Sequence, residues 1–78
     1  MTLADLKPGQ HASIKSIDTS QSEVVRLMKL GLIENVPIQV RDSAIGGDPM
    51  EIRVMGCSIS IRRQQARSFV VKLPESDG

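Results

Sequence analysis

The sequence predicts a mainly β fold: a small barrel of about five short strands with one short α-helix. Short runs of alternating apolar and polar residues recur along the chain, turn-forming residues separate them, and one stretch has helical periodicity. The chain has 78 residues. This length predicts a single domain with little room for a deep substrate cavity, which argues against an independent enzyme.

A helical turn and a strand are expected at the N-terminus. Leu3 and Leu6 have the spacing of one helical turn, and a strand follows over residues 10–17. Its inward residues alternate until Ile17, which breaks the period of two. We therefore expect a β-bulge near residues 15–16, because one extra residue restores the alternation.

The helix is expected over residues 21–30. Ser20 and Glu23 have the spacing of a capping box, in which each side chain accepts a hydrogen bond from the other residue's backbone N–H. Gly31 predicts the end of the helix, because glycine adopts the left-handed backbone conformation without strain.

The apolar arc of this helix is unusually wide. At 100° per residue, Val24 and Leu27 lie near its centre, Val25 and Leu30 lie at its two margins, and the arc spans roughly 220°. A helix packed on a small barrel buries about half of its circumference. Two alternatives stay open: the margins pack against neighbouring loops, or part of the arc is exposed and contacts a partner.

Four further strands are expected in the second half of the chain. Asn35 suits a turn with positive φ, and Pro37 requires a strand start or an edge. A loop is expected over residues 44–49, a turn at Gly56-Cys57, and a short helical turn over residues 63–66. The strands are predicted near residues 36–40, 50–54, 58–61 and 69–71.

Composition excludes several classes of protein. One cysteine, Cys57, cannot form an internal disulfide, a zinc ribbon or an iron–sulfur site, and a reducing cytoplasm is the expected compartment. No apolar run is long enough for a membrane span, so no direct membrane insertion is expected, and the N-terminus has no secretory-signal pattern. With Phe69 as the single aromatic residue, the chain cannot build an aromatic platform for single-stranded nucleic acid.

Charge is unevenly distributed although the formal net charge is only +1. Residues 1–51 carry five basic and seven acidic side chains, whereas residues 52–72 carry five basic side chains and no acid. Two interpretations stay open: solvated strand and turn faces, or a basic patch for an acidic partner or a nucleic acid.

No set of catalytic residues is recognisable. His11 is the single histidine and Cys57 the single thiol, and nothing in their spacing pairs them for nucleophilic catalysis or for metal binding. The Gly46-Gly47-Asp48-Pro49 segment lacks the lysine and the following helix of a phosphate-binding loop. We expect a protein that is not an enzyme, with His11 and Cys57 as the candidates if a metal binds.

Several motifs occur in the order typical of one family. A leucine pair precedes Pro8-Gly9, and a helix ends in Leu30-Gly31-Leu32. A glycine- and proline-containing loop at 44–49 is followed by a strand, by Gly56 and by an aliphatic segment that ends in Ile61-Arg62. Glu34-Asn35 stands where the family usually has Pro-Gly. Over residues 3–72 the chain resembles FeoA, the small cytosolic protein of bacterial ferrous iron uptake.

The resemblance implies an SH3-like barrel over residues 1–73, followed by a flexible tail at 74–78. It implies a cytoplasmic, non-enzymatic adaptor that supports ferrous iron import. The implied partner is the cytosolic G-protein region of the FeoB membrane transporter. No cofactor is required, and binding of Fe(II) or another divalent metal stays open.

The wide apolar arc suggests where such a partner docks. We hypothesise that Val25, Met28, Leu30, Leu32 and Ile33 form an apolar docking surface. Basic side chains at Arg62, Arg63 and Arg67 would steer association if they lie nearby. The alternative is that all five apolar residues are core.

Three rival interpretations remain. The basic stretch favours a nucleic-acid-binding module, although the missing aromatic residues and the small net charge oppose it. A metal-responsive module would use His11 or Cys57 as a ligand. Exposed strand edges on so small a barrel favour a homodimer.

Overall fold

The structure is a computed structural model that describes residues 1–43 and 47–74, without the side chains of Asp42 and Ser43. Residues 44–46 of the predicted loop and residues 75–78 of the predicted tail lie outside the described residues. A 3-10 helix at Leu3–Asp5 comes first. The other elements, in chain order, are β1 (His11–Ile17), α1 (Ser22–Lys29), β2 (Pro37–Ser43), β3 (Met50–Val54), β4 (Cys57–Ile61), α2 (Arg63–Ala66) and β5 (Phe69–Lys72).

The five strands form one antiparallel sheet in the order β4-β3-β2-β1-β5. The N-terminus continues this sheet beyond β5, because Thr2 forms a β-bridge with Val70 and the Met1 carbonyl accepts a 3.0 Å hydrogen bond from the Val71 N–H. The pairing of β1 with β5 shifts register between Ile14 and Ser16. This shift confirms the predicted bulge.

The core is built from the inward-facing residues of the strands and from a few residues of the helical segments. Ile38 and Val40 on β2 are buried, as are Met50, Ile52 and Val54 on β3. Each such side chain contributes about 1.5–3 kcal/mol when fully buried. Among the described residues no polar or charged side chain is buried, so hydrophobic burial dominates the stability of this domain.

Helix α1 begins without a side-chain cap. Its N-cap residue is Gln21, whose side chain forms no capping hydrogen bond. The predicted Ser20–Glu23 capping box is wrong, because the Ser20 N–H donates a 3.0 Å hydrogen bond to Asp18 Oδ1 in a preceding turn. The Glu23 carboxylate accepts a hydrogen bond from the Gln65 amide of α2 instead.

The end of α1 is a Schellman motif. Gly31 has a φ of +119°, as predicted for the residue that ends the helix. The Gly31 N–H donates to the Met28 carbonyl over 3.0 Å, and the Leu32 N–H donates to the Leu27 carbonyl over 3.3 Å. This pattern turns the chain sharply, so that Leu32 lies back against the core.

In the described part of the chain, two turns contain a residue other than glycine with a positive backbone φ angle. Asn35 has a φ of 69°, which confirms the predicted turn before β2. Between β3 and β4, Met55 and Gly56 have φ angles of 50° and 80°, the pattern of a type I′ hairpin. The turn predicted at Gly56-Cys57 therefore lies one residue too late, since Cys57 already begins β4.

Candidate docking surface

Three large apolar side chains are exposed around the exit of α1. Leu30 is 57% exposed, Ile33 is 44% exposed and Met55 is 74% exposed. Leu30 and Ile33 flank the Schellman turn, and Met55 reaches it from the β3–β4 hairpin: a Cβ atom on Gly31 would lie 3.6 Å from Met55 Sδ. We call Leu30, Ile33 and Met55 the helix-exit patch.

Local backbone geometry places Met55 in this patch. The first position of a type I′ turn favours Asn, Asp or Gly, and a left-handed φ costs another residue roughly 1–2 kcal/mol. Here that position carries a methionine with a φ of 50°. The Met55 sulfur lies beside Gly31, at van der Waals distance from the position of a Cβ atom on that residue.

Sequence reasoning missed Met55. The signal that could have found it is a large apolar residue followed by glycine at a hairpin, where polar turn residues are usual. The partner of such a side chain depends on tertiary packing, which alternation along the strands does not encode.

The predicted docking residues do not share one face of α1. Val25 is 37% exposed and Met28 is half-buried. Five helical residues separate Val25 from Leu30, which places their side chains about 140° apart around the axis. Val25 and Met28 therefore lie on one flank of the buried Val24 stripe, and Leu30 lies on the other.

Leu32 corrects the predicted surface. Its side chain is fully buried, so its assignment to the docking surface is wrong. The prediction grouped Leu32 with the exposed exit of the helix, whereas the Schellman reversal carries Leu32 inward. A contact between this position and Leu27 commonly accompanies the motif.

Arg63 holds three segments of the fold together. Its Nε donates to the Gly47 carbonyl and its Nη1 to the Ala4 carbonyl, both over 2.7 Å. Its backbone N–H donates to Asp48 Oδ1 over 3.0 Å. Hydrogen bonds from a charged donor are stronger than those from a neutral donor. These contacts give the half-buried Arg63 side chain a role in stabilising the fold, whereas the sequence predicted a role in steering partner association.

The other predicted arginines cap the two ends of α2. Arg62 is its N-cap residue and Arg67 its C-cap residue, and both are exposed. The Gln65–Glu23 hydrogen bond places α2 beside the first turn of α1. The helix-exit patch lies at the opposite, C-terminal end of α1. The basic side chains in the last turn of α1 are Arg26 and Lys29.

The first and last basic residues of the stretch at 52–72 lie on different strands. Arg53 lies on β3 and Lys72 on β5, with β2 and β1 between them. Neighbouring strands are about 4.8 Å apart, so three strand spacings separate these positions by roughly 14 Å. Phe69, the single aromatic residue, is fully buried.

The candidate metal ligands are not brought together. His11 begins β1 and Cys57 begins β4, and both are exposed, with β2 and β3 between their strands. Within the described part of the chain, no three His, Cys, Asp or Glu side chains are grouped so as to hold a metal ion. No helix in the same residues is long and apolar enough to cross a bilayer.

Comparison with known proteins gives consistent matches. The sequence model of the FeoA domain matches residues 1–73. The solution structure of the Chlorobium tepidum FeoA protein is similar, with 32% identity, a TM-score of 0.89, and coverage of 100% of this chain and 74% of that one. No curated protein matches the chain.

Two further solved structures have the same fold at lower sequence identity. Stenotrophomonas maltophilia FeoA complexed with zinc, described as an SH3 domain protein, has 24% identity and a TM-score of 0.81, with coverage of 92% of this chain and 89% of that one. The crystal structure of T. acidophilum IdeR has 24% identity and a TM-score of 0.82, with coverage of 95% of this chain and 34% of that one. The predicted SH3-like fold is confirmed.

Proposed function

The chain belongs to the FeoA family, which is linked to ferrous iron transport, and we propose that it is a non-enzymatic adaptor of that transport. Its partner is the cytosolic G-protein region of a FeoB-type transporter, and the helix-exit patch is the docking surface. This partner places the protein in the cytoplasm.

The observation that carries the proposal is the helix-exit patch itself. Leu30, Ile33 and Met55 come from two separate segments and meet around Gly31. Burial of these side chains on a partner would contribute on the order of 5 kcal/mol, which association costs largely offset. Other contacts must therefore add to the patch, and a reversible complex is expected.

The basic residues of α1 fit the rim of such a contact. Arg26 and Lys29 lie in its last turn, next to the patch along the chain. Charges at the rim of an interface raise the association rate more than the affinity. Binding should therefore weaken with salt mainly through slower association.

The adaptor role requires no cofactor. Support comes from the separation of His11 and Cys57, which lie on strands three spacings apart. A bound metal would raise the unfolding midpoint as its concentration grows. Thermal unfolding should show no such shift with Fe(II) under anaerobic conditions or with Zn(II), and a saturable shift would restore the metal-responsive alternative.

A co-purification experiment tests the docking proposal. The detergent-solubilised FeoB-type transporter of the same cell is captured with the tagged wild-type chain, with Leu30→Asp and with Leu73→Asp. Leu73 is 44% exposed and follows β5, so it receives the same chemical change away from the patch. We expect Leu30→Asp to lose capture and Leu73→Asp to retain it.

The controls separate two kinds of failure. Circular dichroism must show that both variants stay folded. Equal capture by the two variants would remove the patch from the interface. A wild-type chain that captures no transporter would remove the adaptor proposal as a whole.

A further inference from the structure

The outer edge of β4 has the geometry of a self-pairing strand. We propose that a second copy of this chain pairs antiparallel with β4 about Ile59, so that the two sheets become continuous across a two-fold axis. Among the described residues β4 pairs with β3 alone. The opposite edge, β5, is already bridged by Thr2.

The hairpin decides which backbone groups of β4 face outward. Val54 and Cys57 flank the type I′ turn and are paired, and in such a hairpin this pair is hydrogen-bonded. Hydrogen-bonded and non-bonded pairs alternate along antiparallel strands. The N–H and C=O groups of Ser58 and Ser60 therefore point away from β3, and no backbone hydrogen bond among the described residues uses them.

The sequence of β4 is symmetric about its centre. Ser58 and Ser60 flank Ile59, so a second strand that runs antiparallel about Ile59 sets Ser58 opposite Ser60 of the second copy, and the reverse. Both of these pairs have outward backbone groups, and together they form four hydrogen bonds. The two Ile59 side chains face each other at the axis, and Ile59 is half-buried against the core.

The charges around the edge are complementary in this arrangement. No residue of β4 is charged, whereas natural edge strands are commonly protected from pairing by charges. In register with β4, Arg53 lies opposite Ser58 and Glu51 opposite Ser60. In the two-fold pair, Ser58 therefore lies between Arg53 of its own copy and Ser60 of the second copy. That Ser60 lies next to Glu51 of the second copy, so the arrangement sets no like charges opposite each other.

Helix α1 lies beside this edge at Ser60, and a groove separates the two. In the proposed register the incoming strand brings only a serine opposite Ser60. A pairing that depends on five residues buries far less than the ~1,200 Å² of a stable interface, so the dimer is weak. The groove is lined by Glu23, Arg26, Leu27, Ser60 and Gln65.

Charge-swapped variants of the full chain test this register. Ser58→Lys/Ser60→Lys sets two lysines opposite each other at both serine pairs, whereas Ser58→Glu/Ser60→Lys sets a glutamate opposite a lysine at both. Sedimentation equilibrium from about 20 μM to about 1 mM should show wild-type self-association. Directly opposed charges predict about tenfold weaker association for the first variant, and several-fold tighter association at low salt for the second.

Circular dichroism must show that both variants fold, because Ser58→Lys sets a like charge opposite Arg53 of its own chain, whereas Ser58→Glu sets an opposite charge there. Equal association of the two variants would exclude the β4 register. A wild-type chain that stays monomeric to about 1 mM would leave the edge to an extended segment of another protein and overturn the proposal. Leu30→Asp should leave the dimer intact, because Leu30 follows α1 and is not on β4.

Discussion

Two leucines that are two residues apart should respond very differently to truncation. Leu32 is fully buried, whereas Leu30 is 57% exposed. Leu32→Ala removes a buried side chain and leaves a cavity, which costs about 2–5 kcal/mol. Less than half of Leu30 is buried, so Leu30→Ala removes little buried apolar surface. It should lower the free energy of unfolding by less than about 1 kcal/mol.

Urea unfolding followed by far-UV circular dichroism measures both values. The chain contains no Trp or Tyr, so intrinsic fluorescence is a poor probe. A domain of this length has a total stability of about 4–12 kcal/mol, so Leu32→Ala should move the midpoint strongly. The slope with urea should stay unchanged in both variants, because the surface exposed on unfolding is nearly the same.

Comparable losses at the two positions would refute the reasoning. Leu30 would then contribute to the core as much as Leu32 does, and the helix-exit patch would not be a free surface. A large loss at Leu30 alone would also contradict the Schellman geometry, which carries Leu32 inward and leaves Leu30 at the helix end.

Three further predictions concern the rest of the domain. Gly47→Ala should destabilise the fold by about 1–3 kcal/mol more than Gly9→Ala in thermal unfolding: both glycines have positive φ, but a Cβ at Gly47 would lie 3.1 Å from Arg63 Nη2, while nothing lies within 4 Å at Gly9. Arg63→Met should cost about 2–4 kcal/mol in urea unfolding, because two carbonyls lose a charged donor. The backbone and side-chain hydrogen bonds from Ser20 lower the pKa of Asp18. The ionised carboxylate therefore stabilises the fold fully above the ordinary pKa of Asp, and this stabilisation is lost as the pH falls through the lowered pKa. NMR titration should show that Ser20→Ala reduces the pKa shift of Asp18 without abolishing it, because the backbone hydrogen bond remains.

The alternating strands could be predicted from sequence because their pattern directly reflects burial. The inward residues of β3 are buried as expected, and the break of period at Ile17 correctly indicated a bulge in β1. Gly31 was recognisable as the helix end because few other residues adopt its backbone conformation without strain.

Features that depend on competing local bonds could not be predicted. Ser20 looked like a helix cap, but its N–H is used in the turn made by Asp18. Leu32 was assigned to the surface as part of the helix exit, because the sequence does not show in which direction the chain turns after Gly31. In the candidate site the sequence predicted Leu30 and Ile33 as docking residues but not Met55, whose place beside Gly31 comes from a contact between distant segments.

Methyl NMR tests the docking surface most directly. The chain, labelled at the methyl groups of Ile, Leu and Met, is titrated with the cytosolic G-protein region of the transporter. We predict that the signals of Leu30, Ile33 and Met55 shift or broaden together, while Leu73 does not change. If a saturating concentration of the partner changes the Leu73 signal but leaves the three patch signals unchanged, the proposed interface is contradicted.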